Sequence, residues 1–78
     1  MDFIELQIKT SRDLADILIA ELGEIGFDTF EETGEGFNAY ILEGSFQEAD
    51  VKEIIQKYSF LGIASYETVK IPKENWNQ

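Results

Sequence analysis

Residues 27–42 read FDTFEETGEGFNAYIL, two runs with aromatic and other apolar residues on either side of a short stretch that contains two glycines. The runs Phe27–Glu32 and Phe37–Leu42 have the composition of β-strands. Between them, Gly34 and Gly36 can reach positive φ at little cost, which favours a tight turn. The centre of the chain is therefore predicted to be a β-hairpin.

A helix is predicted immediately upstream of this hairpin. Apolar residues recur at positions 14, 17, 18, 22 and 25, which is helical spacing. Thr10 or Ser11 supplies a capping hydroxyl, and Gly26 ends the helix. Gly23, in the last turn, is expected to permit close packing against a neighbouring element.

A second helix is predicted downstream of the hairpin. Ser45 and Glu48 have the spacing of a capping box, in which hydroxyl and carboxylate satisfy each other's terminal amides. Apolar residues follow at positions 51, 54, 55 and 58. The helix is expected to start at this box and to run to about Tyr58, with Gly62 as a stop.

The two ends of the chain supply the outer strands. Phe3–Lys9 alternates strictly between apolar and polar positions, and Ile63–Ile71 alternates again up to Pro72, which cannot donate to a ladder. The order is strand, helix, strand, strand, helix, strand. With right-handed crossovers this predicts an α+β, ferredoxin-like βαββαβ domain over residues 1–72, in which both helices cover one face of a four-stranded antiparallel sheet.

The chain is acidic and lacks several reactive residue types. It has 78 residues, with 6 basic and 16 acidic side chains, a net charge of -10, and neither His nor Cys. Catalysis by Ser-His or Cys-His pairs is excluded, and a reducing, cytoplasmic location fits. Nucleic acids and membrane surfaces attract basic residues, so basic proteins are the expected partners instead. No segment has the pattern of a membrane span or a signal peptide.

Three local patterns have features of functional sites. The stretch at 34–36 carries a carboxylate and precedes a strand, so it does not fit a phosphate loop, which needs a helix N-terminus. The acids at 28, 31, 32 and 35 suggest acid-base work or a metal site, but they alternate faces along a strand. The chain has 1 Trp, 3 Tyr and 6 Phe, yet no basic RNA-recognition motif. No catalytic, cofactor-binding or metal-binding residue is assigned.

The residues around the hairpin resemble those of a known family. The stretch ELGEIGFDTFEE at 21–32, followed by GFNAYI at 36–41, is similar to the N-terminal domain of the ribosomal protein L11 methyltransferases, the PrmA family. Trp76 and Asn77 resemble the start of the linker to that family's catalytic domain. The resemblance implies that residues 1–72 form a substrate-recognition domain and that residues 73–78 begin the linker.

The resemblance also implies a division of labour. In the family, the N-terminal module recognises a basic ribosomal protein, and a separate Rossmann-like domain binds S-adenosylmethionine and methylates lysine side chains and the N-terminal amine. Nothing here resembles the glycine-rich loop for that cofactor, so the catalytic domain and its cofactor are expected outside this chain. No catalytic residue of the family can be carried over. The chain is expected to be a monomer that binds the basic ribosomal protein and catalyses no reaction itself.

Charge gives the expected contact surface. Residues 21–35 contain six acids and no base. We predict that the basic ribosomal protein contacts five of these acids, at the end of the first helix and along the hairpin: Glu24, Asp28, Glu31, Glu32 and Glu35. Two alternatives stay open. One is a small-molecule-binding regulatory module of the same fold, and the other is a generic acidic protein-interaction domain.

Overall fold

The computed structural model describes residues 2–72. The order of its elements is β1 (Phe3–Lys9), α1 (Arg12–Glu24), β2 (Thr29–Glu32), β3 (Gly36–Leu42), a 3₁₀ turn (Glu43–Ser45), α2 (Glu48–Lys57) and β4 (Ser65–Ile71). The strands form one antiparallel sheet in the order β2-β3-β1-β4. The predicted ferredoxin-like α+β fold is confirmed. The expectations for residues 73–78, including Trp76 and Asn77, lie outside the described residues.

The hydrophobic core lies between one face of the sheet and the two helices. Alternation along β1 buries every second side chain, as its sequence predicts. The same period on β3 and the helical stripes on α1 and α2 complete the core. The buried side chains from these elements are Ile4, Leu6, Ile8, Leu14, Ala15, Leu18, Leu22, Phe37, Ala39, Ile41, Val51 and Ile54, joined by Phe27.

The ends of α1 match the sequence analysis. The Ser11 hydroxyl accepts a hydrogen bond from the Leu14 amide at 3.3 Å, so Ser11 is the cap. After the helix, Gly26 adopts a φ of 114°, a conformation that L side chains rarely reach. Both signals are local to the chain, which is why the sequence identifies them.

The packing role expected for Gly23 is wrong. Gly23 is exposed, and a Cβ added there meets nothing within 4 Å. We therefore expect Gly23→Ala to raise the free energy of unfolding by about 0.5–1 kcal/mol, because alanine is the better helix former. Urea denaturation followed by circular dichroism measures this. Gly26→Ala is the matched control and should destabilise the chain, and a loss of stability in Gly23→Ala would contradict the expectation.

The strand β2 begins two residues later than predicted. Phe27 is 3% exposed and precedes the strand, and its amide donates to the Leu22 carbonyl at 3.2 Å. The backbone amide of Phe27 therefore helps to end α1, and its aromatic side chain lies in the core. The strand proper starts at Thr29, opposite Tyr40.

The capping box predicted for α2 is wrong. Ser45 lies in the 3₁₀ turn, and the helix starts at Glu48 after Gln47, whose side chain makes no capping bond. The Glu48 carboxylate instead accepts a hydrogen bond from the Tyr66 hydroxyl at 2.9 Å. A contact with β4 has replaced the local one. The predicted end of the helix at about Tyr58 is confirmed, since Tyr58 is its C-cap.

The start of β4 also differs from the prediction. β4 starts at Ser65 and not at Ile63, which lies before the strand and is 90% exposed.

In the hairpin turn, the Thr33 amide donates to the Gly36 carbonyl at 3.0 Å, but neither glycine of the turn has positive φ. The turn was predicted correctly, but the prediction that its glycines adopt positive φ is wrong.

Candidate functional site

The face of the sheet opposite the core, here called the open face, carries the residues that the core does not use. Since Ile4, Leu6 and Ile8 point into the core, the alternate residues of β1 point the other way. Directly paired residues on neighbouring strands share a face. The open face therefore comprises Phe3, Glu5, Gln7 and Lys9 on β1, Gly36, Asn38, Tyr40 and Leu42 on β3, Ser65, Glu67, Val69 and Ile71 on β4, and Thr29 and Glu31 on β2.

One end of the open face is apolar. The register places Phe3 between Leu42 and Ile71, and Val69 follows on β4. Leu42 and Val69 remain 40% and 41% exposed. The opposite end carries the polar residues of the same strands. A partner on this face would meet an apolar surface beside a polar one.

A hydrogen-bond network lies at the centre of the open face. The Tyr40 hydroxyl donates to Glu5 Oε2 at 2.7 Å, and Gln7 Nε2 donates to Glu5 Oε1 at 2.7 Å. The same hydroxyl lies 3.5 Å from Glu31 Oε1. Both oxygens of the Glu5 carboxylate therefore accept hydrogen bonds, and Glu5 on the neighbouring strand β1 holds the Tyr40 ring in place through its hydroxyl.

This network changes the titration of Tyr40. Its pKa is raised from the ordinary 10.0 to about 12, chiefly because the hydroxyl donates to Glu5, and further because of burial and the charges of Glu5 and Glu31. The folded chain holds this proton more tightly than the unfolded chain does. The contribution of Tyr40 to stability is therefore present below its unfolded pKa of 10.0 and is lost as the pH rises toward about 12.

A variant with a single tyrosine tests this. In Tyr58→Phe/Tyr66→Phe, Tyr40 alone of the 3 tyrosines remains. Its phenolate absorbance should rise with a midpoint near 12, and adding Glu5→Gln should move the midpoint toward the ordinary 10.0. The same chain in urea provides the unfolded reference. A midpoint that matches this reference while Glu5 is intact would show that the hydrogen bond does not form.

An open groove, here called the aromatic groove, lies where the open face meets the β2 edge. Its volume is about 510 Å³, and it is lined by Phe3, Asp28, Thr29, Phe30, Glu31 and Tyr40. Three of these residues are aromatic, two are carboxylates, and none is basic. Aromatic faces and carboxylates both attract cations. The groove therefore has the chemistry of a site for a positively charged group.

The structure brings together two of the five acids predicted to form the contact surface. Asp28 and Glu31 line the aromatic groove. Glu24 is exposed at the end of α1, and Glu32 lies on the core-side face of β2, opposite to that of Glu31. Glu35 is in the hairpin turn, where its carboxylate lies 3.6 Å from Lys9 Nζ. The remaining three acids do not line the groove.

The aromatic walls of the groove were not singled out from the sequence. Phe3 and Tyr40 lie on different strands, and only the register brings them together on the open face. Phe30 pairs with core residue Ala39, so its side chain lies on the core-side face of β2, and it lines the groove from the edge of the sheet. One signal was available. Phe3 shares a strand face with Glu5, Gln7 and Lys9, which makes it a lone aromatic residue on a polar face.

A second exposed apolar cluster lies in the loop between α2 and β4. Phe60, Leu61 and Ile63 are 79%, 51% and 90% exposed. The Thr10 hydroxyl donates to the Ile63 carbonyl at 3.4 Å, which ties the loop to the end of β1. The sequence analysis missed this cluster because it assigned Ile63 to the start of β4.

Within residues 2–72, no group of three or more His, Cys, Asp or Glu side chains is arranged to hold a metal ion. Within the same range, no helix combines the length and apolar character that crossing a membrane requires.

Comparison with known proteins identifies the relatives of the chain. No family model matches it, and no solved structure matches it significantly. The ribosomal protein L11 methyltransferase of Phocaeicola vulgatus is 30% identical over 82 aligned residues, which cover 100% of this chain and 29% of the relative. The chain is related to the ribosomal protein L11 methyltransferases. The resemblance found in the sequence is thereby confirmed.

Other ribosomal protein L11 methyltransferases match in the same way. That of Porphyromonas gingivalis is 33% identical over 75 residues, covering 95% of this chain and 25% of the relative. That of Bacteroides thetaiotaomicron is 30% identical over 82 residues, covering 29% of the relative. The chain therefore spans about a quarter to 29% of the length of the curated methyltransferases it matches.

Proposed function

We propose that this chain is the N-terminal substrate-recognition domain of a ribosomal protein L11 methyltransferase. It holds a basic ribosomal protein of the L11 type while a separate domain transfers the methyl group. The observation that carries the proposal is the match to three such methyltransferases over 95–100% of this chain but at most 29% of their length. With a ribosomal substrate, the domain works in the cytoplasm.

The residues of the aromatic groove support binding over catalysis. The raised pKa of Tyr40 keeps its hydroxyl protonated at neutral pH, so it serves as neither base nor nucleophile. The chain has no His or Cys to take those roles. What the groove offers is a fixed aromatic surface with two carboxylates.

The turn at 33–36 does not fit S-adenosylmethionine. It joins β2 to β3, whereas a nucleotide loop presents amide groups from a helix N-terminus. Its exposed Glu35 carboxylate also adds negative charge beside the glycines. The methyl donor is proposed to bind elsewhere in the enzyme, and no step of the proposed recognition depends on it.

Charge supports the choice of a basic partner. The net charge of -10 attracts a basic protein over several ångströms and speeds its encounter with the domain. Contacts between exposed charges are screened by salt and individually weak. A weak contact lets the substrate leave and return in another orientation, which suits an enzyme that modifies several amines of one protein.

Binding to the ribosomal protein tests the proposal. The isotope-labelled chain is titrated with purified L11-type ribosomal protein at low salt and again at about 0.5 M salt, where the Debye length falls to about 4 Å. We expect amide shifts at low salt and at least a tenfold loss of affinity at high salt. An acidic protein of similar size is the control. Absence of binding at low salt, or equal binding of the control, would rule out the proposal.

Sedimentation separates the proposal from the regulatory alternative. A recognition domain of this kind is expected to sediment as an 8.9 kDa monomer. A small-molecule regulatory module of this fold commonly pairs through a sheet edge. A concentration-independent dimer would therefore favour the regulatory alternative.

A further inference from the structure

We propose that the aromatic groove receives one lysine side chain of the bound basic protein. The inference rests on the proposed function and names the contact through which that function works. It follows from three properties of the groove: rings held by contacts inside the domain, carboxylates that no base of the described residues neutralises, and one oxygen of each carboxylate already in contact with a hydroxyl.

The rings are in place before a ligand arrives. The rings on the open face are those of Phe3 and Tyr40, whereas the Phe30 ring lies on the core side of β2, 6.3 Å from that of Phe37. The Tyr40 ring is held through its hydroxyl by Glu5 at 2.7 Å. A binding surface that is already ordered loses little conformational entropy on binding. The apolar stem of a lysine packs against such rings while its ammonium group lies near their faces.

The charge of the groove is not neutralised within the described residues. Lys9 pairs with Glu35, Lys57 with Glu21, and Lys70 with Asp2 and Glu43. Across residues 2–72, no lysine or arginine forms an ion pair with Asp28 or Glu31. Three of the described lysines are thus paired with other acids, and the two other described bases, Arg12 and Lys52, form no ion pair with Asp28 or Glu31. A cation from outside is the group that the two carboxylates can accept.

The hydrogen bonds of the carboxylates favour lysine over arginine. The Thr29 hydroxyl donates to Asp28 Oδ1 at 3.2 Å, and the Tyr40 hydroxyl lies 3.5 Å from Glu31 Oε1. Each carboxylate therefore has one oxygen already in contact with a hydroxyl. Arginine binds carboxylates best through two parallel hydrogen bonds to both oxygens, whereas an ammonium group needs one oxygen at a time.

The volume and openness of the groove fit a side chain carried on a polypeptide. At about 510 Å³ the groove falls within the roughly 300–1,000 Å³ of small-ligand sites. It is open along the β2 edge, where Thr29, Glu31 and Asp28 are exposed. A lysine can enter from a protein surface without threading through the domain.

Three small probes test the occupant. The isotope-labelled 78-residue chain is titrated with the blocked amino acids Nα-acetyl-lysine, Nα-acetyl-arginine and Nα-acetyl-norleucine methylamide. We expect the lysine probe to shift the amides of Phe3, Thr29, Phe30 and Tyr40, and to bind about two- to fivefold tighter than norleucine, which has the same stem without charge. If norleucine bound as tightly as lysine, the groove would select only an apolar side chain, and the proposal of a lysine site would be overturned. Equal or tighter binding of arginine would overturn the choice of lysine.

Two matched variants test the groove against the rest of the open face. Glu31→Gln and Glu67→Gln each remove one exposed carboxylate from this face, the first in the groove and the second on β4. We expect Glu31→Gln to weaken binding of both the lysine probe and the ribosomal protein at least threefold. Glu67→Gln should leave both within twofold. Equal effects of the two variants would overturn the groove as the site.

The outcomes separate the two proposals. If the ribosomal protein binds the chain but the lysine probe leaves the groove amides unshifted, the groove is ruled out and the recognition function stands. If the ribosomal protein fails to bind at low salt, the recognition function is ruled out, whatever the lysine probe does.

Discussion

Gly36→Ala is expected to lose at least about 3 kcal/mol of unfolding free energy, an unusually large effect for adding one methyl group. A Cβ at position 36 would lie 2.0 Å from the Ile8 carbonyl oxygen and 3.0 Å from Lys9 Cα. Both are backbone atoms of β1, so no side-chain rotation relieves the overlap. β3 would have to move away from β1 where the two strands pair. A domain of this length has a total free energy of unfolding of about 4–12 kcal/mol, so the midpoint of urea denaturation should be much lower in this variant than in the parent chain.

Gly34→Ala is the matched control for this prediction. Gly34 lies in the same turn, has no positive φ, and a Cβ there meets nothing within 4 Å. We expect this variant to stay within about 0.5 kcal/mol of the parent or to gain slightly, because alanine restricts the unfolded chain. If the two variants lost the same stability, the effect would come from the flexibility of the turn and not from the approach to β1.

The hairpin shows how far local sequence signals extend. Two glycines between apolar runs predicted the turn correctly, because turn composition is a local property. The reason that position 36 needs glycine was not available, since the obstructing carbonyl belongs to Ile8 on another strand. The capping box at Ser45 failed for a similar reason. Glu48 bonds to Tyr66, and partly buried Phe46 packs against the core, so contacts distant in sequence decided where α2 begins.

The candidate site shows the same limit. Charge counting identified the acidic segment from Glu21 to Glu35, and Asp28 and Glu31 in it do line the aromatic groove. Strand alternation correctly predicted that Glu31 and Glu32 point to opposite sides of β2, but only the register shows that Glu31 is the one on the open face. The sequence also could not show that Phe3, from the start of the chain, completes the wall of the groove.

Phe37→Ala is expected to cost about 3–5 kcal/mol of unfolding free energy, enough to unfold much of the population at room temperature. Phe37 is 1% exposed and lies in the core among residues from the sheet and the helices. Removing its ring leaves a cavity that the neighbouring strands cannot close without losing their pairing. The loss should appear as a large drop in melting temperature by calorimetry.

Phe60→Ala provides the same chemical change on the surface. Phe60 is 79% exposed, so its truncation should alter the unfolding free energy by no more than about 0.5 kcal/mol. Comparable losses in the two variants would mean that the α2–β4 loop is packed in solution.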